Sequence, residues 1–322
     1  MYAQQLTAVS GPAGVQLVEI DEPDGTGLVV VDLHAAGVSF PDLLQTTGSY
    51  QLVRELPFVL GVEGAGIVRS APAGSGISAG QRVAVLATDG AWQQTVAVKP
   101  DSVFPLPDSV SLEAGAGFLM NYLTVHFALD ERARYRAGET VLVHGAAGGV
   151  GVAALQVAAA LGLETIAVVS TEEKAEIARS HRATHVLMDG WKDRVRDLTG
   201  GRGVDIILDP VGGDRFTDSL RSLAPNGRLV VLGFTGGEIP TVKVNRLLLR
   251  NISVLGAGWG EYVRTHPGYT ARQWSTLGPL LESGALRIAE PTTYSFEHAG
   301  DALRTLETRS ATGKIALSVR PS

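Results

Sequence analysis

VLVHGAAGGVGVAALQVAAALG, residues 141–162, runs from a short β-branched stretch through a tight glycine turn into an Ala-rich apolar segment of helical period. Strand, glycine turn and helix in that order make a phosphate-binding unit, and each small residue in it has a mechanical reason. Ala146, Gly148 and Gly151 hold the spaced positions of the dinucleotide fingerprint, with Ala146 in place of the first glycine. A small residue opens the turn, Gly148 lets the backbone approach a pyrophosphate, and Gly151 lets the helix lie close on the strand. The N–H groups of the helix start, at Gly149 and Val150, face the anion. Glycine patterns of this kind also occur in ordinary turns. The strand before it and the helix after it supply the context that a dinucleotide site requires.

Outward from this stretch, short β-branched runs recur with helical segments between them: VLVHG at 141, TIAVV at 165, HVLM at 185, VDIILD at 204, RLVVLGF at 228 and ISVLGAG at 252. This alternation predicts an α/β domain with a doubly wound parallel sheet. Right-handed crossovers put a ligand at the carboxyl ends of the strands, where Gly148, Ser170, Gly233 and Gly258 fall. The N-terminal third instead carries short strand candidates, GLVVVDLHAAGV, GAGIVRSA, QRVAVLA and WQQTVAV, separated by Gly, Pro and Asp turns. They predict a compact β-rich barrel. The last sixty or so residues offer helix candidates QWSTLGPLLESGAL and EHAGDALRTLET and a strand KIALSV, which do not extend a parallel sheet economically. The expected division is 1–122 and 261–322 for the β-rich domain and 123–260 for the dinucleotide-binding domain.

Composition narrows the function classes. At 322 residues, the chain is long enough for two domains. Its 45% hydrophobic and 19% charged residues are those of a packed protein rather than a disordered one. The formal net charge of -6, without a basic run, gives no support for nucleic acid or an anionic membrane as partner. No cysteine is present, which removes disulfides and thiolate metal sites. No secretory pattern opens the chain and no apolar run approaches the ~20 residues of a membrane span, so a cytoplasmic location is expected.

Beyond these local readings, the chain resembles the zinc-independent, zeta-crystallin-like quinone oxidoreductases of the medium-chain dehydrogenase/reductase superfamily. The resemblance runs nearly end to end. It is carried by AAGVSFPDLLQTTGSYQ (35–51), LPFVLGVEGAGIV (56–68), GQRVAVL (80–86), VHGAAGGVG (143–151), GGRGVDIILDPVGG (200–213), NGRLVVLGFTGGEIP (226–240), NRLLLRNISVLGAGWG (245–260) and ATGKIALSV (311–319). It implies a GroES-like catalytic domain made from both termini, an inserted Rossmann domain, NADPH in the cleft between them, and a homodimer. In zinc-dependent relatives the segment matching LGVEGAG reads Gly-His-Glu, and that His with two Cys holds the metal; here Val62 replaces the His and Ser39 stands at the first Cys. The soft ligands of a zinc site are therefore missing, the seven histidines show no ligand spacing, and no metal is expected. Without a Lewis acid to stabilise an alkoxide, quinones and enones are better acceptors than simple carbonyls.

NAD-specific sites of this fold carry an acid at the end of the second strand, where this chain has Val169. Ser170 and Thr171 can donate to a 2'-phosphate and Lys174 can supply a positive charge, which favours NADPH, although Glu172 and Glu173 add negative charge nearby. By resemblance, Ser39, Phe40 and Tyr50 with Asn121 and Thr124 line the nicotinamide and substrate side, and Gly233, Phe234, Gly258 and Trp259 flank the nicotinamide from the Rossmann side. Tyr50 is the leading candidate to orient a substrate carbonyl, against packing at a turn. Lys314 reads as a surface lysine in preference to one that approaches the cofactor, and His126 as a core histidine in preference to a proton donor. Three functions are consistent with these residues: an NADPH-dependent quinone reductase, a reductase of activated C=C bonds such as enones, acrylates or enoyl thioesters, and a non-catalytic NADPH-binding protein.

Overall fold

The structure is a computed structural model that describes residues 1–87 and 90–320. It divides into two units, Met1–Asn121 with Ile288–Ser322, and Tyr122–Arg287. In chain order the first unit begins with strands β1 (Tyr2–Leu6), β2 (Val15–Glu19) and β3 (Val29–Val38), helix α1 (Phe40–Thr46), and strands β4 (Phe58–Val59), β5 (Glu63–Ser70), β6 (Arg82–Leu86), β7 (Thr95–Val98) and β8 (Val103–Pro105). Helix α2 (Leu112–Ala116) follows, and α3 (Leu119–Phe127) carries the chain across the division.

Six parallel strands form the second unit: β9 (Thr140–His144), β10 (Glu164–Val168), β11 (His185–Leu187), β12 (Val204–Asp209), β13 (Leu223–Val231) and β14 (Ser253–Gly256). Between them run α4 (Gly149–Ala160), α5 (Glu172–Ser180), α6 (Trp191–Leu198), α7 (Phe216–Ser222) and α8 (Asn245–Arg250). The sheet order β11-β10-β9-β12-β13-β14 means that the chain winds outward from β9 to one edge, then returns to β12 and winds to the other. The winding reverses its direction between β9 and β12, which is where an open α/β sheet leaves a crevice at its carboxyl edge. All six strands expected from the sequence are present. They read as apolar runs because helices cover both faces of the sheet, and β9 is buried along its whole length. Leu142, Ile166, Ile207 and Leu229 sit at the centre of this core, each stabilising the unit by about 1.5–3 kcal/mol through burial.

Helices α9 (Trp259–Thr265) and α10 (Tyr269–Glu282) correct the expected division. Residues 261–287 belong to the second unit, not to the return segment. Phe127, Tyr262 and Tyr269 pack as an aromatic group with ring centroids 4.9–5.9 Å apart, and Gln273 donates to the Leu123 carbonyl at 2.7 Å. These long-range contacts have no signal in the local period, which marks α10 only as a helix.

The return segment adds β15 (Thr292–Ser295), α11 (Ala299–Glu307) and β16 (Ile315–Ser318) to the first unit. Its larger sheet has the order β15-β16-β3-β5-β6-β8, and β7 also pairs with β3. The long strand β3 makes this possible: β7 takes Val29–Asp32 and β16 takes Ala35–Val38, while β5 pairs along its other side. A Cβ on Gly66 would lie 1.9 Å from the Asp32 carbonyl oxygen, so glycine lets β5 approach β3 where their register shifts. Leu33, Val83, Val85, Trp92, Phe296, Leu303 and Leu317 form the core beneath.

Candidate active site

In the second unit the turn after β9 is made by Gly145, whose φ of +58° lies in the left-handed region. Ala146, the residue at the first fingerprint position, is fully buried and its N–H donates to the Val168 carbonyl of β10. The conformational demand for glycine thus falls one residue earlier than the motif spacing suggests. Gly148 and Gly151 then differ. A Cβ on Gly151 would meet the Gly145 carbonyl oxygen at 2.2 Å and the Ala146 backbone at 2.6 Å, so this glycine allows α4 to seat on the turn. A Cβ on Gly148 would meet only the Gly145 oxygen, at the ordinary contact distance of 3.5 Å. The protein itself leaves room at Gly148, at the N-terminus of α4. There the N–H groups of Gly149, Val150 and Gly151 have no carbonyl within the helix to receive them. This donor set fits a dinucleotide pyrophosphate.

Along the same edge, β10 ends at Val168, the next residue Val169 is buried, and the chain emerges at Ser170 and Thr171, both exposed. The Thr171 hydroxyl accepts the Lys174 N–H at 3.3 Å and caps α5. Glu172 is held by Arg179 at 2.7 Å, which offsets part of the negative charge near this corner. Lys174 is half-buried and makes no ion pair among the described residues. After β12, Asp209 is buried; one carboxylate oxygen accepts the N–H groups of Val211 and Gly212, both at 2.9 Å, and the other has no partner. Burial raises its pKa. His144, at the end of β9, bonds Ser219 at 2.8 Å and is pushed down to about 3 by burial, so it is neutral. Gly233 and Phe234 follow β13, with Phe234 exposed, and Gly258 precedes α9. Trp259 is turned inward: it is buried, and its indole N–H donates to Gln273 at 2.8 Å.

In the first unit Ser39 joins β3 to α1. Sheet register places it: Val38 faces Ile315 of β16, so Ser39 comes beside Lys314, and Ala36 faces Gly64 of β5, which brings Gly37 beside Glu63. The Lys314 ammonium donates to Ser39 Oγ at 2.7 Å and to Glu63 Oε1 at 2.6 Å. Glu63 Oε2 accepts the N–H of Met120 at 2.8 Å. Lys314 is thus a buried lysine, 8% exposed, and not a surface one. Two glycines provide its room. A Cβ on Gly37 would lie 2.7 Å from Glu63 Cγ, and one on Gly117 would lie 2.6 Å from Lys314 Cγ. Asp42 completes the group, accepting the Ser39 N–H on Oδ2 at 2.8 Å while its buried Oδ1 has no partner. Burial pushes its carboxyl up to about 7; the Ser39 N–H and Lys314 oppose the rise and Glu63 adds to it.

Tyr50 lies half-buried in the loop after α1, its pKa raised by burial and by the charge of Asp42. Asn121 and Thr124 are three residues apart on α3 and so share a helix face; Asn121 is buried and Thr124 half-buried. His126 is buried, its pKa lowered by burial, and lies 3.5 Å from Gln273 Nε2. Of the residues the sequence singled out, Ser39 and Lys314 fall into one charged cluster, whose other members, Asp42 and Glu63, carried no functional signal. The available hint was a charge flanked by glycines next to an apolar strand, as in VEGAG and TGKIAL.

Residues 25–108 match the alcohol dehydrogenase GroES-like domain, and residues 149–277 match the domain described as zinc-binding dehydrogenase. Among the described residues no group of His, Asp and Glu is placed to hold a metal ion. Quinone oxidoreductase-like protein 2 of Rattus norvegicus is 36% identical over 98% of this chain and 91% of its own. A probable oxidoreductase from Mycobacterium abscessus superposes with a TM-score of 0.88 at 42% identity, covering 99% of this chain and 98% of that one. Escherichia coli quinone oxidoreductase, solved with NADPH, superposes with a TM-score of 0.87 at 30% identity, covering 99% and 100%. The chain therefore belongs to the zinc-independent quinone oxidoreductase family of the medium-chain dehydrogenase/reductase superfamily, and it is an oxidoreductase.

Proposed function

We propose that this oxidoreductase uses NADPH to reduce a quinone. The observation that carries the cofactor half is the open space at Gly148 beneath the N-terminus of α4, on the carboxyl edge of the parallel sheet. Bound NADPH supplies a hydride. The chain's own part is to hold the pyrophosphate on the N–H groups of Gly149, Val150 and Gly151, and the 2'-phosphate on Ser170, Thr171 and Lys174. Val169 presents no carboxylate to the ribose, and the engagement of Glu172 by Arg179 supports the phosphorylated cofactor. Tyr50, Asn121 and Thr124 are the groups we assign to orienting the acceptor.

The quinone assignment rests on the relatives named above and on the lack of soft metal ligands, which favours acceptors that delocalise charge when reduced. Anaerobic NADPH oxidation with a naphthoquinone and a simple enone in parallel, products identified by mass, tests it. Rapid naphthoquinone reduction with an inert enone is the expected result; the reverse makes the protein a reductase of activated C=C bonds. We also propose a homodimer built on the β14 edge of the sheet. Beside that edge Val244, Leu248 and Leu249 are 71%, 77% and 77% exposed, a cluster of apolar side chains that a second copy would cover. Light scattering of the wild type against L248E/L249E distinguishes dimer from monomer.

A further inference from the structure

Asp209 ends β12, the strand between β9 and β13 in the six-stranded sheet, so the loop it opens lies between the fingerprint turn and the loop that carries Gly233 and Phe234. Its Oδ1 accepts the N–H groups of Val211 and Gly212, both at 2.9 Å, and so fixes the course of residues 210–213. Both neighbouring loops rest on these residues. On the β9 side, a Cβ on Gly145 would lie 3.1 Å from Val211 Cγ2, so the Val211 side chain stands against the left-handed residue of the turn. The Gly145 carbonyl in turn accepts the Gly148 N–H at 3.0 Å, and it is the group on which Gly151 of α4 is seated. On the β13 side, the Leu232 N–H donates to the Asp209 carbonyl at 2.9 Å, Thr235 to Pro210 at 3.1 Å and Gly236 to Val211 at 2.8 Å. The second carboxylate oxygen of Asp209, Oδ2, is buried and has no hydrogen-bond partner, so the polar contacts this side chain makes run through Oδ1 alone.

We propose that Asp209 is a positioning residue for the dinucleotide. By holding Val211 against Gly145 it sets how the turn presents the N–H groups of Gly149, Val150 and Gly151 to the pyrophosphate, and through the same loop it fixes the backbone of residues 232–236. The role rests on the cofactor reading given above and adds to it a residue that acts through its neighbours. It is a role of shape and not of charge: an acceptor at the place of Oδ1 is what the loop requires, and nothing on the Oδ2 side uses the negative charge. An asparagine supplies the same acceptor, whereas an alanine leaves the Val211 and Gly212 N–H groups without one.

The test is binding to the full chain: NADPH and NADH titrated by cofactor fluorescence, and 2'-AMP, which has the 2'-phosphate without the pyrophosphate, titrated by calorimetry. D209A, folded by circular dichroism, should weaken NADPH and NADH alike by about tenfold, the effect of one misdirected N–H on an anion, and leave 2'-AMP unchanged. D209N should bind both cofactors within about twofold of wild type. V211A leaves Asp209 paired and removes the side chain at Gly145; it should weaken both cofactors by about threefold, and it carries the test if D209A does not fold. A D209N as weak as D209A makes the charge the agent and overturns the proposal. So does a V211A with wild-type affinity, or a D209A that loses 2'-AMP as much as NADPH, which marks a general loss of structure. If wild type binds neither cofactor, the cofactor reading falls and the proposal with it; if wild type binds and D209A binds equally well, the reading stands and the proposal alone falls.

Discussion

The turn after β9 and the cluster behind Ser39 are both small polar sites framed by glycines, yet the glycines act in opposite ways. In the turn, Gly148 leaves backbone N–H groups accessible from outside. In the cluster, Gly37 and Gly117 make room for the protein's own Glu63 and Lys314 side chains. One site is built from contiguous backbone and offers partial positive charge from aligned dipoles; the other is built from side chains at the ends of three strands and on α1, and holds full charges away from water. Binding by the first should therefore be separable from stability, whereas the charges of the second should be bound up with it.

The sharpest way to break this contrast lies within the turn. Gly151→Val forces atoms against the Gly145 carbonyl, a backbone group that cannot step aside, and should destabilise the second unit by about 3 kcal/mol or more. Gly148→Ala, with ordinary contact distances around its new Cβ, should leave the melting temperature nearly unchanged while weakening NADPH binding. Calorimetry and cofactor fluorescence on the two variants check both; equal losses of stability would show that Gly148 is also a packing residue.

In the cluster, Lys314→Met leaves Glu63 unpaired and should cost about 3–5 kcal/mol, with E63Q/K314M recovering much of the loss. Urea denaturation of the single and double variants measures the coupling. If the single variant is as stable as wild type, the pair is not a buried charge site.

Asp42 predicts a smaller effect with a definite sign. Its carboxyl titrates near 3.8 when unfolded and at about 7 when folded, so the folded state holds the proton more tightly. Stability from this group is present below the unfolded value and is lost as pH rises through about 7, by at most about 1.4 kcal/mol for each tenfold fall in proton concentration. Glu63, Lys314 and Tyr50 are the titratable groups around it, and Asp42→Asn should flatten the decline between pH 5 and 8. A wild-type urea midpoint independent of pH in that window removes the assignment. Smallest of all, Lys174→Ala should weaken NADPH by roughly three- to tenfold and leave NADH nearly unaffected, as expected of a partly exposed cation. Titration with the two cofactors measures that ratio, and equal weakening would place Lys174 outside the phosphate site.

Much of this molecule is legible in its order of residues. The strand, turn and helix at 141–162, the six parallel strands and their carboxyl-edge loops follow from periodicity and small-residue spacing, because backbone geometry over a few residues is a local property. The place of α10 in the second unit is not legible, because its membership depends on Gln273 reaching Leu123, 150 residues away, and on an aromatic group assembled from α3, α9 and α10. The cluster is not legible either. Ser39 and Glu63 are 24 residues apart and Lys314 lies 251 residues beyond Glu63; strand register alone brings them together. In the sequence, a lysine before an apolar strand is a surface lysine by default, since charge is costly to bury. Only the tertiary structure supplies the carboxylate, the hydroxyl and the two missing Cβ atoms that offset that cost, and so turns an ordinary lysine into a buried cation.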